Sequence, residues 1–233
     1  MIFGDPVYSF HPVRILGGLI SIYETSLSHQ GMHGKFGGVL LSLLLILSAL
    51  LFSMGIFELL EYYHWSLSCV WYVFLGWRFL ALGDLLKHAR KVANAMEKED
   101  LSLSKITVGK LVGRDTDLMD LPACGRATVE SVGENFNDGV IAPIFYFCLF
   151  GIPGILVYKV VNTLDSMVGY RNEQYHDFGW CSAKLDDLMS FMPARISWLF
   201  LSGAAVFYPQ LSCLLYTSPS PRDRTRSRMP SSA

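Results

Sequence analysis

The chain has 233 residues, of which 52% are hydrophobic and 17% charged, with a formal net charge of −1. A composition this apolar argues against an ordinary soluble domain and raises the membrane question immediately. Near-neutral charge argues against a nucleic-acid surface, which needs a concentrated basic patch, and five cysteines without CxxC or Cys/His pairing argue against a zinc site or a disulfide framework.

The first polar cluster, GDPVYSFHPVRILGGLI from Gly4 to Ile20, sets Asp5, His11 and Arg14 among prolines and glycines. Prolines hold such a chain extended and fix where its polar groups point, although a plain surface loop accounts for the pattern equally well. Phe36 to Phe57 carries no charge over 22 residues, and about 20 apolar residues suffice to cross a bilayer as a helix. It lies too far from the N-terminus and runs too long for a cleaved signal peptide. Ser66 to Gly83 reads as a second, shorter span whose Arg78 should face protein or an interface. Glu58 to Trp65 has no Lys or Arg, whereas Asp84 to Gly139 has eight. The long loop, and with it the segment holding Arg14 and Lys35, is therefore expected on the cytoplasmic side.

Asp84 to Asp100 has the apolar spacing of an amphipathic helix that lies on the membrane or on protein. GRDTDLMDLP, Gly113 to Pro122, then offers Arg114, Asp115, Thr116 and Asp117. These groups can hold Mg²⁺ through its waters and reach a phosphate; Asp117 or Asp120 can equally cap the helix predicted over Leu118 to Asn137. On that helix Arg126, Glu130, Glu134 and Asp138 recur every four residues, forming a slowly drifting polar stripe. Ala127, Val129, Val132 and Gly133 supply a small-residue face for packing. Glu130/Glu134 and Glu134/Asp138 are like-charge neighbours, mildly destabilising unless a cation sits between them.

Val140 to Val161 is apolar but broken by GIPG at Gly151 to Gly154. One kinked span would send Asn162 to Ser190 outside, while two half-helices would return them to the cytoplasm. That segment is densely polar, and Asn162 and Asp165 open it one turn apart; Lys184 with Asp186 or Asp187 reads as a local ion pair. Phe191 to Pro209 is a last apolar stretch, after which the chain changes to Ser, Pro and Arg. Within this tail CLLYTSPSPRD resembles a reading frame of a transposon-end sequencing adaptor, so residues 213–233 are expected to be a non-native, disordered addition. GxxxxGK[ST], GxGxxG, HExxH and GxSxG are all absent from the sequence, which disfavours P-loop, Rossmann, zincin and α/β-hydrolase chemistry.

Taken together, GDP…HPVR, GRDT, RATVESVGENFNDGVIAPIFY, NTLDSMVGYRNEQY, FGW, AKLDD and PAR resemble the CobD/CbiB family of cobalamin-biosynthesis membrane proteins, over about residues 3 to 202. The resemblance implies an all-α, polytopic membrane protein with helical cytoplasmic segments. It also implies a cell-membrane location, with the site on the cytoplasmic side. The implied activity is that of adenosylcobinamide-phosphate synthase. Adenosylcobyric acid, a corrinoid, is joined by an amide bond to an amino-alcohol phosphate, with ATP as cosubstrate and Mg²⁺ as cofactor.

By motif membership, Glu130, Glu134 and Asp165 are expected to be catalytic and Asp115, Asp117 and Asp138 to face the metal. His11, Arg14, Arg114, Thr116, Arg126, Asn135, Asn137, Asn162, Tyr170 and Arg171 are expected to meet substrate. Residues 1–212 form the membrane domain on this view, incomplete at both ends. The rival expectations are a non-catalytic membrane sensor or regulator of the same superfamily, and a transporter built on the broken span.

Overall fold

The computed structural model describes residues 12–80, 82–112, 116–169 and 175–207, without the side chains of residues 12–14, 84 and 205. The regular structure of the described residues is helical: α1 (Pro12–His29), α2 (Lys35–Tyr63), α3 (Trp65–Arg78), α4 (Leu82–Glu97), α5 (Leu101–Gly109), α6 (Leu121–Phe136), a π-helical segment (Asn137–Ile141), α7 (Ala142–Val168) and α8 (Trp180–Phe207). The all-α expectation holds, and no strand occurs among the described residues.

α2 contains 29 residues, which at 1.5 Å each gives a rod of about 43 Å, longer than the roughly 30 Å hydrocarbon core. Leu43, Leu47, Leu51 and Phe52 on α2 face outward, as do Val70 and Val73 on α3 and Trp198, Leu199 and Phe200 on α8. So broad an apolar exterior is unstable against water but matches lipid, and this is an all-α membrane protein. The predicted connector 58–65 shrinks to His64, whose ring accepts from the Ser66 amide at 3.2 Å and starts α3. The expected second span is only 14 residues long, about 21 Å, and ends at the half-buried Arg78.

α4, α5 and α6 pack around Val92, Val108, Cys124 and Ala127. The amphipathic helix predicted over 84–100 is therefore α4, and its apolar face is covered by protein. α6 packs through Cys124, Ala127 and Ser131, so that of the predicted small face Ala127 is the member in the core. Val129 is exposed, and a Cβ on Gly133 would meet nothing within 4 Å.

The decisive feature is α7. Gly151 has φ 65° and ψ −147°, so the rod breaks there into residues 142–150 and 152–168. A φ of this sign is open to glycine and costly for other residues. The freed amide of Ile152 donates to the Tyr72 hydroxyl at 3.2 Å. Tyr146 stacks on Tyr158 with ring centroids 5.4 Å apart, and Gly154 lies so close to the Tyr146 carbonyl that a Cβ would sit 2.4 Å from it.

The two arms therefore run antiparallel as a hairpin, two half-helices rather than one kinked rod. The second arm is wedged among α1, α2 and Phe178 through Val160, Leu164 and Val168, while its tip packs on Leu75 of α3 and on Phe79, the residue that follows that helix. Chain leaving the hairpin reaches the Lys35 end of α2. There Lys35 lies 3.9 Å from Asp177 and 5.6 Å from the Trp180 ring centre.

Candidate functional site

Where α6 meets the hairpin, the backbone changes pitch. The Ala142 amide bonds to the Asn137 carbonyl, five residues back, and this extra residue per turn is the mark of a π-bulge, common at functional sites. The wider turn carries Asp138 off the exposed stripe of α6 toward the second arm. Its Oδ1 accepts from Asn137 Nδ2 at 2.7 Å and from the Tyr158 hydroxyl at 3.3 Å. Its Oδ2 accepts from Asn162 Nδ2 at 3.4 Å, and its backbone carbonyl accepts from Lys159 Nζ at 2.8 Å.

α8 closes the cluster. The Asn162 amide also reaches Asp186 Oδ1 at 3.5 Å, the Ser197 hydroxyl donates to Asn137 Oδ1 at 3.0 Å, and the Tyr146 hydroxyl donates to the Met189 carbonyl at 2.9 Å. Asp138 and Asp165 both lie close enough to Asp186 for their charges to be felt there. Lys159 stands among them, yet its ammonium is spent on a carbonyl. Neighbouring carboxylates of one sign repel, and a cation or substrate donors placed between them would relieve the repulsion. Oxygen donors of this kind suit Mg²⁺, which takes one or two carboxylates and completes its shell with water and phosphate. Among the described residues no three His, Cys, Asp or Glu side chains converge as a ready-made metal cage.

The sequence-predicted residues divide into those brought together and those held apart. Asn137, Asp138 and Asn162 share direct hydrogen bonds, and Asp165 lies near enough to Asp186 to act on it electrostatically. Glu134 is exposed one turn before Asp138, Glu130 is half-buried a turn earlier and Arg126 is exposed beyond that, so the stripe leads from solvent to the cluster. Asn135 points away, donating to the Ser131 carbonyl at 2.8 Å.

Thr116 and Asp117 precede α6 while Asp138 follows it. A 16-residue helix puts about 24 Å between these ends, which separates the predicted metal residues Asp117 and Asp138 into different places. Thr116 donates to the Lys105 carbonyl at 3.2 Å, the Asp117 carbonyl accepts from Lys105 Nζ at 2.6 Å, and Asp120 caps α6 by accepting from the Ala123 amide at 2.7 Å. The described part of that loop is thus tied to α5 and α6. His11, Arg114, Asp115, Tyr170 and Arg171, and the side chain of Arg14, lie outside the described residues, as does the tail from residue 213.

The predicted local ion pair forms between Lys184 and Asp187 at 3.9 Å on the surface, leaving Asp186 turned inward. Near the polar segment Tyr175 donates to Glu24 Oε1 at 2.6 Å. That bond to a carboxylate, helped by burial, pushes the phenol up to about 12, so it stays a neutral donor and ties α1 to the chain beyond the hairpin. Lys159, Tyr158, Asp186 and Ser197 were not predicted as site residues. The visible signal was Lys159, one cation inside the apolar run 140–161, which is costly unless it faces a polar partner.

Residues 1–230 match the model of the CobD/Cbib protein family. The chain is 41% identical over 202 residues to the cobalamin biosynthesis protein CobD of Listeria monocytogenes serotype 4b, covering 85% of this chain and 64% of that one. It is 41% identical over 205 residues to CobD of Geobacter metallireducens, covering 88% and 64%. With the cobalamin biosynthesis protein CbiB of Salmonella arizonae it shares 38% over 211 residues, covering 88% and 65%. The chain thus spans just under two thirds of the length of these relatives. No solved structure matches it.

Proposed function

The chain belongs to the CobD/CbiB family of cobalamin-biosynthesis proteins, and from that premise we propose that it serves ATP-dependent amide formation between adenosylcobyric acid and an amino-alcohol phosphate such as (R)-1-amino-2-propanol O-phosphate. The observation that supports this reading is the cluster of Asp138, Asn162, Asp186 and Lys159 at the mouth of the hairpin.

A carboxylate resists attack by an amine until one of its oxygens becomes a leaving group. In the proposed sequence a propionate oxygen attacks the γ-phosphorus of ATP and ADP departs. The amine nitrogen then attacks the acyl carbon, and the C–O bond to phosphate breaks. Phosphate leaves and the amine gives up a proton. Asp138 and Asp186 would hold Mg²⁺, which when bound screens the charge of the phosphoryl group in transit.

Asn162, fixed between these two carboxylates, orients whatever fills the space beside it. Glu134 and Glu130, on the open side, are placed to take the amine proton, and Arg126 to meet a phosphate or carboxylate at the entrance. Membranes containing the protein should convert adenosylcobyric acid and the amino-alcohol phosphate to the amide only when ATP and Mg²⁺ are present. Conversion without ATP, or none under any condition, would remove the reading.

The hairpin also favours a multi-pass topology in which both of its ends face the cytoplasm, as the loop charges suggest. In a cysteine-free background, a cysteine replacing the exposed Lys184 should resist impermeant thiol reagents added from outside and react after permeabilisation. Reaction in sealed cells would place the segment on the opposite side.

A further inference from the structure

Pro143 leaves a gap in the backbone ladder at the point where Asp138 must be held. In the π segment each carbonyl looks five residues ahead for its donor, and Ala142 serves Asn137 in this way. The next carbonyl in the series is that of Asp138, and its partner would be residue 143, a proline without an N–H. The four-residue alternative, the Ala142 amide, is already committed. A carbonyl left without a donor where water is partly excluded is costly, and Lys159 Nζ supplies the missing bond at 2.8 Å across the hairpin. Lys159 is itself buried at 8% exposure, so its ammonium has few other places to go.

We propose that Lys159 is a positioning residue that clamps the π-bulge carbonyl of Asp138 and thereby aims the Asp138 carboxylate between Tyr158 and Asn162 for the reaction proposed above. Without the clamp the bulge is free to wind back into an α-helix, which turns Asp138 toward the solvent stripe of Glu134. The inference rests on the proposed function for its catalytic consequence, but not for its geometry.

The test is a double-mutant cycle of K159M and P143A in the whole protein, read by amide hydrogen exchange over residues 137–146 and by kcat and KM for amide formation. K159M should speed exchange about ten- to a hundred-fold, the worth of a hydrogen bond to a charged group. It should lower kcat about ten- to a hundred-fold, as loss of an outer supporting group does, with little change in KM. P143A restores an N–H to the ladder, so K159M added to P143A should change neither reading by more than about two-fold.

If K159M alone does not fold, P143A and the double variant still carry the comparison. Unchanged exchange in K159M, or a double variant as impaired as K159M, would overturn the clamp; the latter outcome would make Lys159 a substrate contact. A wild-type protein without amide-forming activity, but with the predicted exchange pattern, would uphold the clamp and remove the functional reading instead.

Discussion

Asp138→Asn is expected to lower the rate of amide formation on the order of 10²–10³-fold, the cost of losing one preorganised electrostatic group, while the protein accumulates in the membrane normally. The variant keeps an oxygen for the Asn137 and Tyr158 donors but turns an amide toward the Asn162 amide, a donor facing a donor. Asn162 can settle on Asp186, which it already reaches, and one carboxylate fewer also relieves repulsion. Stability is therefore nearly preserved while the charge that would hold Mg²⁺ is gone. Asp186→Asn should act similarly, whereas its sequence neighbour Asp187, paired with Lys184 on the surface, should tolerate Asn within about two-fold, as expected where an exposed pair contributes little. Initial rates in membranes, normalised to protein abundance, decide the matter. An Asp138→Asn variant turning over at the wild-type rate would remove the cluster from the chemistry.

Gly154→Leu should destabilise the fold by about 3 kcal/mol, the upper end of the usual cost of overpacking. A Cβ at this position already stands 2.4 Å from the Tyr146 carbonyl and 2.7 Å from Phe150 Cβ, and the first is backbone that cannot swing aside. The arms must separate, which also unstacks Tyr146 from Tyr158 and withdraws Tyr158 and Asn162 from Asp138. Gly133→Leu, on a part of α6 where a Cβ meets nothing, is the matched control and should be neutral or slightly stabilising through helix propensity. Thermal unfolding in detergent of the two variants makes the comparison. Equal melting temperatures would mean that the arms are not closely packed at Gly154.

Much of this organisation was legible in the residues. Apolar runs marked α2 and the hairpin, periodicity marked α4 and α6, and Asp120 was one of two predicted caps. GIPG announced a break, but proline and glycine report only that a helix is interrupted, not the angle at which it resumes. That angle depends on Tyr146 meeting Tyr158 and Tyr72 meeting Ile152, contacts between residues far apart in sequence. Asp186 and Asp187 could not be told apart, because which of two adjacent carboxylates turns inward depends on the rotation of α8 about its axis. The four-residue stripe suggested that Asp138 continued the face of Glu134. A π turn at Asn137–Ile141 breaks that phase, and nothing in the spacing foretells it.

The hairpin also sets an order of assembly. α2 can enter lipid alone, since its backbone is satisfied internally and its surface is apolar. The arms cannot: Asp138, Lys159 and Asn162 each carry a polar group whose solitary transfer toward the bilayer centre costs several kcal/mol. Joined, the carbonyl of Asp138 and the ammonium of Lys159 answer one another, and α1, α2 and α8 cover what remains. The two arms are therefore expected to enter as a closed pair rather than singly. That closure is also the packing on which the proposed chemistry depends.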